Sequence, residues 1–247
     1  MSGCRSAWNA TMALACALLL ACTAWADIAT SKHNLSASGP GTVKAASEDQ
    51  ICVFCHAPHN SSPGAPLWNR QTPAATYLPY TSSTSKAAAG QPTRGSLLCL
   101  SCHDGTIALG QVLNRATPIS MAAGVSTMPA GSASLLGTDL SGDHPISFAY
   151  TDSVNNSPTN TLKLPGDVLT TTLPVGNNLV NQTVDKAFLK SGNVQCTSCH
   201  DVHRSIGDSG LNSNKPINSP NHNPLLVAYG LAQDGYGSAL CRSCHNK

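Results

Sequence analysis

Four pentapeptides constrain this chain more than any other feature. They are Cys52-Val53-Phe54-Cys55-His56, Cys99-Leu100-Ser101-Cys102-His103, Cys196-Thr197-Ser198-Cys199-His200 and Cys241-Arg242-Ser243-Cys244-His245. A C-x-x-C-H run is the attachment signature of c-type haem. Its two thiols add across the vinyl groups of one porphyrin, and the adjacent His is directed beneath the iron. Two C-x-x-C pairs could instead enclose a zinc ion, and a single pair could be a thioredoxin-like redox site. Neither alternative explains a His in fifth place all four times, or the use of every cysteine beyond residue 26. The expectation is four haem c groups on Cys52, Cys55, Cys99, Cys102, Cys196, Cys199, Cys241 and Cys244. His56, His103, His200 and His245 would be the proximal iron ligands.

Four porphyrins also account for an odd composition. Of 247 residues, 11% are charged and only 4% aromatic. Large apolar side chains are too few for an ordinary core of this size, and the wealth of Gly, Pro, Ser, Thr and Asn is that of loops. Porphyrin faces would supply the missing apolar surface. The expected fold is mostly irregular with a little α structure: short helices at the haem motifs, long loops, and the chain wrapped around four stacked haems. Short β-branched runs cut by Pro and Gly in residues 160–185 predict one two-stranded ribbon.

Residues 1–26 read as a signal peptide, with Arg5 before an apolar run from Thr11 to Thr23 and a small-residue cleavage site at Ala24-Trp25-Ala26. The run is short for a transmembrane helix, and no later stretch could span a bilayer. A rival reading takes Leu19-Leu20-Ala21-Cys22 as a lipoprotein cleavage box. Export to the periplasm, the extracellular space or the cell surface suits haem attachment, which bacteria complete outside the cytoplasmic membrane. The formal net charge of +2 loses Arg5 with the leader. Eight propionates against four ferric cores would then make the loaded protein acidic. No basic patch with interleaved aromatics is present, so a nucleic-acid partner is not expected.

The chain repeats itself. His33-Asn34-Leu35-Ser36 is matched by His144-Pro145-Ile146-Ser147, and both first motifs continue as H-x-x-H, through His59 and His203. Both second motifs follow Gly-Ser-x-Leu, at Gly95 and at Gly237. Repetition on this scale marks a duplicated unit. The expected organisation is a single domain over 27–247, built from a di-haem half 27–107, a connector 108–140 and a di-haem half 141–247. Residues 104–140, rich in Gly, Ala and Ser, read as surface loop.

The second axial ligand decides what such irons can do. One His leaves an open position for small molecules, whereas two make a low-spin electron carrier. Five histidines remain: His33, His59, His144, His203 and His222. The repeat selects His33, His59, His144 and His203 as distal ligands and leaves His222 surplus. Met121 and Met128 fall in what reads as a loose loop, without repeat partners. An i, i+3 pair lies on one side of a helical turn, so His59 cannot reach the far face of the haem above His56. The economical assignment sends His59 to the Cys99/Cys102 haem and His203 to the Cys241/Cys244 haem, with His33 and His144 serving the first and third. His33 lies six residues after the new N-terminus, and such termini are mobile unless tied down. It could fold back onto the first haem or reach a neighbouring copy of the chain.

At these residues the chain resembles a family. The H-x-L-S segment at His33, the CVFCHAPHN run, the PLWN tetrapeptide at Pro66, and the LCLSCHDG, DHPISF and SALCRSCHNK runs are similar to OmcE-type tetrahaem cytochromes of metal-reducing bacteria. The likeness covers most of residues 27–247 and is weakest in 104–140 and 205–235. It implies an extracellular carrier with bis-histidine haems that polymerises head to tail with itself, a distal His being supplied by the next subunit. Redox partner cytochromes are implied too. His222 departs from that pattern.

Two function classes follow from the residues. The first is an electron carrier that is not an enzyme, either a filament or a soluble periplasmic shuttle. The second is a multihaem oxidoreductase of a small nitrogen or sulfur compound. The surplus of histidines, and the scarcity of Asp, Glu or Lys clustered near the motifs, favour the first.

Overall fold

The computed structural model describes residues 27–62, 65, 67–158, 161–169, 181–203 and 239–246. Residues 1–26, with Cys22, and His222 lie outside them. Regular structure gathers at the pentapeptides. The first forms a 3-10 turn, Cys52–Phe54. The second ends helix α1, Arg94–His103. After α2 (Tyr150–Asn156) and α3 (Val184–Phe188), the third makes up α4, Cys196–Cys199, and the fourth begins in α5, Ala239–Arg242.

Helix α1 forms because Ser96 and Leu100, one turn apart, are both buried. Leu100 joins Tyr77 and Leu140 in a small apolar cluster, with Leu97 packed against it. The helix stops at Gly105, whose φ of 74° is the left-handed conformation that favours glycine at a helix end. Helix α4 is a single turn and could not stand alone. Gln195 and Ser198 cap it reciprocally, the Gln195 N–H donating to Ser198 Oγ at 2.9 Å. It packs against both α1 and α3.

Among the described residues the regular strands are β1 (Phe148–Ala149) and β2 (Asn193–Val194), antiparallel, with Phe148 opposite Val194. This sheet lies outside the stretch 160–185 that the sequence marked for a ribbon. Phe148 and Val194 are both buried in one apolar cluster, and that burial fixes their pairing. Within the expected stretch, Val168 bridges Thr183 and the Leu169 N–H donates to Gln182 O at 2.9 Å. Residues 170–180 are outside the described ones.

Among the described residues the core is split into three clusters. One holds Phe148, Tyr150, Leu169, Val184, Phe188, Leu189 and Val194, with Leu240 and Cys244 against it. A second joins Ala45, Val53, Phe54, Val112 and Ile119, and the third is the Tyr77 group. Residues 104–140 are therefore not surface loop throughout. Leu109, Val112, Ile119 and Leu140 are buried, and Met121 bridges Ala45 and packs against the second cluster rather than lying loose. The stretch belongs to the wall of the first half. Its apolar residues are too widely spaced to show a period. Among the described residues no helix is long and apolar enough to cross a membrane.

Candidate functional site

The first pentapeptide lies in a cradle built by the PLWN segment. Ala57 N–H donates to Leu67 O at 2.9 Å and Asn69 N–H to Cys55 O at 2.8 Å, with His56 paired antiparallel to Trp68. This ladder holds Leu67 at a φ of 61°, costly for a bulky residue unless its surroundings fix it. Leu67 stands 52% exposed. It lines an open cavity of about 250 Å³ together with Cys52, Val53, His56, Ala57 and Pro58. The edge of Trp68 meets the His56 ring at 5.9 Å, and its buried Nε1–H has no acceptor. A buried donor left without a partner is rare.

The same segment reaches the second pentapeptide. Asn69 Nδ2 donates to Val53 O at 2.6 Å and to Asn114 Oδ1 at 2.8 Å. Arg70, fully buried, donates through Nη2 to Ser101 O at 2.9 Å and through Nε to Ser101 Oγ at 3.3 Å. Val53 and Ser101 lie inside the first and second C-x-x-C turns, so two adjacent residues tie one motif to the other.

The second and third motifs meet at Gln195. Its Oε1 accepts from Ser96 Oγ at 2.6 Å, from Ser96 N–H at 3.2 Å and from Ser147 Oγ at 3.3 Å. Ser96 Oγ in turn accepts the Cys196 N–H at 3.1 Å, and Ser147 Oγ accepts the Thr93 N–H at 2.9 Å. The fourth motif is held by backbone. Leu162 pairs with His245, Lys163 N–H donates to Cys244 O at 2.8 Å, and the Tyr150 hydroxyl donates to Cys244 O at 3.2 Å.

Around these motifs the imidazoles come together in pairs. His33 faces His103 with ring centres 6.0 Å apart, His203 lies stacked over His56 at 6.0 Å, and His144 meets His245 edge-on at 6.5 Å. An ion taking an imidazole nitrogen from each side, at about 2 Å per bond, would separate the ring centres by roughly 6 Å. Two of these rings also have the outer hydrogen bond that metal-bound histidines show. With the Nδ1-protonated tautomer, His103 donates to Ser134 O at 2.7 Å and His144 to Pro145 O at 2.9 Å. That tautomer leaves each Nε2 lone pair free. Burial, and then the charges of His103, His200 and His203, hold His33 down to about 4, so its ring is neutral and able to ligate.

These pairs differ from the sequence-based assignment. His33 stands beside the second motif of its own chain rather than beside the first. His203 lies beside the first motif rather than the fourth, and His144 beside the fourth rather than the third. The pairing joins residues far apart in sequence, which spacing alone could not reveal. His59 is exposed, and among the described residues no second imidazole faces it or His200 at such a separation.

The thiols follow the order of the chain. Burial and then Cys102 push Cys55 up to about 12. Cys99 donates to Cys196, which raises the first and lowers the second. Burial, followed by Cys241 and Cys196 for the one and by Cys199 for the other, pushes Cys199 and Cys244 up to about 11. Neighbouring sulfurs thus link motif one to two, two to three, and three to four. All eight are free of disulfides.

The residues fit a haem better than a zinc ion. Among the described residues no three His, Cys, Asp or Glu side chains converge as a metal cluster. Facing imidazoles, an apolar cradle beside Cys52 and His56, and the unsatisfied Trp68 donor suit a flat apolar group with axial ligands and polar edges. Sequence reasoning passed over Arg70, Ser96, Ser147 and Gln195. Signals existed for three of them: Arg70 directly follows the quoted PLWN, Ser96 belongs to the repeated Gly-Ser-x-Leu, and Ser147 ends the repeated H-x-aliphatic-Ser. No family model matches this chain, and no curated protein does so either.

Proposed function

We propose that the chain carries electrons through four covalently attached haem c groups with paired histidine ligands, outside the cytoplasmic membrane. The observation that carries this is the coincidence of four C-x-x-C-H motifs with three imidazole pairs 6.0–6.5 Å apart, each including one motif histidine. When bound, the haems would supply one-electron ferric/ferrous chemistry whose potential depends on axial ligands and surroundings. The chain's part is to hold and space them. Cys52, Cys55, Cys99, Cys102, Cys196, Cys199, Cys241 and Cys244 would anchor the haems, and the Asn69-Arg70 and Gln195 contacts fix the distance between successive motifs. His33, His203 and His144 would be second ligands at the second, first and fourth motifs, which supports a carrier over an oxidoreductase with an open iron.

His59 and His200 support the filament form. His59 is exposed and His200 has no imidazole facing it among the described residues. A distal ligand shared between copies would join them head to tail, and a contact of that kind that does not close on itself propagates. This joint, and the self-association implied by the likeness to OmcE-type cytochromes, is assigned to His59 in place of His33. Intact mass and absorption spectra of the secreted protein test the reading. Four haem additions, no free thiol, low-spin spectra and filaments by electron microscopy are expected. Zinc, or fewer than four haems, would overturn it.

A further inference from the structure

Among the described residues, Arg70 is a buried cation whose hydrogen bonds reach no anion. It is 0% exposed, and all of its hydrogen bonds go to neutral oxygens. Besides Ser101 it donates through Nη1 to Leu109 O at 2.7 Å and Gln111 O at 3.2 Å, and through Nη2 to Ala108 O at 3.1 Å. Five such bonds use every N–H a guanidinium has. The loop that supplies these carbonyls is tightly built, since a Cβ on Gly110 would lie 1.9 Å from Ile119 O. Burying a charge is expensive, and neutral dipoles alone offset it only in part. A side chain that only had to fasten the loop could have been neutral.

Its position suggests what the charge is for. Ser101, which it grips, lies between Cys99 and Cys102, and Asn69, its neighbour in sequence, donates to Cys55 O at 2.8 Å. The guanidinium is therefore fastened to the second motif, and the residue before it in sequence is fastened to the first. One buried charge of the other sign is close to the second motif. Asp104 accepts the Tyr77 hydroxyl at 2.6 Å and the Thr106 N–H at 2.8 Å. It offsets Arg70 at the second haem and leaves the first the more electropositive. Among the described residues of the second half, the buried polar side chains are all neutral.

We infer that Arg70 tunes the redox potential of the N-terminal haem pair, making it the place where electrons collect within each subunit. This rests on the haem reading above. Reduction adds one electron from an external one-electron donor to a ferric centre, with no bond made or broken and no proton required. Arg70 stabilises the added negative charge. At an effective dielectric near 20 and a distance on the order of 10 Å, a unit charge shifts such an equilibrium about tenfold, which is about 59 mV for a one-electron couple.

The test is a spectroelectrochemical titration of the full four-haem protein beside its Arg70→Gln and Arg70→Lys variants. Arg70→Gln should lower two of the four midpoints by about tenfold in the ferrous/ferric ratio, with the other two unmoved. Arg70→Lys keeps the charge while losing the hydrogen-bonding fork, and should restore most of the shift. Equal shifts in both variants, or none, would overturn the inference. Where Arg70→Gln does not load haem, the unsubstituted protein decides. Its first two haems must reduce before its last two, with His33→Ala and His144→Ala each marking one iron of a half by its high-spin spectrum, and the reverse order would overturn the inference. A preparation lacking haem fails the functional reading, whereas four haems with unmoved potentials fail only the role of Arg70.

Discussion

The two halves of this chain hold similar pentapeptides by different physics. In the first half, polar side chains reach into the C-x-x-C turns: Asn69 to Val53, Arg70 to Ser101, and Tyr77 to Asp104 just past His103. In the second, the third and fourth motifs lean on one cluster that contains Phe148, Tyr150 and Phe188. Aromatic residues are scarce in this chain, and three are used there. A hydrogen-bonded clamp fixes geometry over short distances, and its loss leaves specific groups unpaired. An apolar cluster stabilises through volume and tolerates small changes of shape. The halves are also interlocked, because His203 of the second lies over His56 of the first.

Breaking that interlock should have the largest effect. In the loaded protein, His203→Ala should turn one iron in four high-spin, and the altered centre should be the one on Cys52/Cys55. His33→Ala should open the Cys99/Cys102 centre and His144→Ala the Cys241/Cys244 centre. Electron paramagnetic resonance of the three variants distinguishes this map from the assignment that spacing suggested. A His203→Ala protein whose altered iron belongs to the fourth motif would restore that earlier assignment. Next comes the apolar half. Phe188 is 2% exposed, and Phe188→Ala should cost about 3–5 kcal/mol in chemical denaturation. The disturbance should appear at the fourth centre and leave the His33–His103 centre as it was.

The polar half should respond less and more locally. Asn69→Ala removes the donor to Val53 O and both bonds with Asn114, one of which runs from the Asn114 N–H to Asn69 Oδ1 at 3.0 Å. Leaving the Val53 carbonyl unpaired should cost about 1–3 kcal/mol, with the spectral change confined to the first centre. Loss of order at the fourth centre in this variant would show that the halves are not held separately.

How much of this was legible in sequence follows from the same contrast. The motifs and the repeat are local patterns, and short helical turns at C-x-x-C could be read directly. The rule that His59 and His56 share one side of a helical turn does not apply, because His56 pairs with Trp68 in an extended bridge. What partners each imidazole depends on chain paths through residues 104–140, where Leu109, Val112 and Ile119 are buried without any period to announce them. The β1–β2 pair was hidden for a related reason. Two residues per strand make no alternating pattern, and Phe148 meets Val194 because both enter one cluster. Arg70 drew no reading from the sequence, since nothing in a sequence shows that five carbonyl and hydroxyl oxygens will surround it.

The smallest expected effect lies at the junction of the halves, and it sharpens the comparison because Ser96 belongs to the repeated Gly-Ser-x-Leu. Ser96 Oγ donates to Gln195 Oε1 and accepts the Cys196 N–H. In Ser96→Ala the Gln195 oxygen still accepts from the Ser96 N–H and from Ser147 Oγ. The Cys196 N–H alone loses its acceptor, so the cost should be about 1 kcal/mol. Ser147→Ala should cost less still, because the Thr93 N–H is exposed to solvent and can be satisfied by water. The two serines converge on one acceptor, so the double variant should lose more than the sum of the single ones, a coupling that a double-mutant cycle in denaturant reads directly. Strict additivity would mean that Gln195 is held by its own capping contacts and that the junction is no network. A Ser96→Ala cost as large as that of Phe188→Ala would reverse the ranking of the two regions and place the main support of the chain at the seam between them.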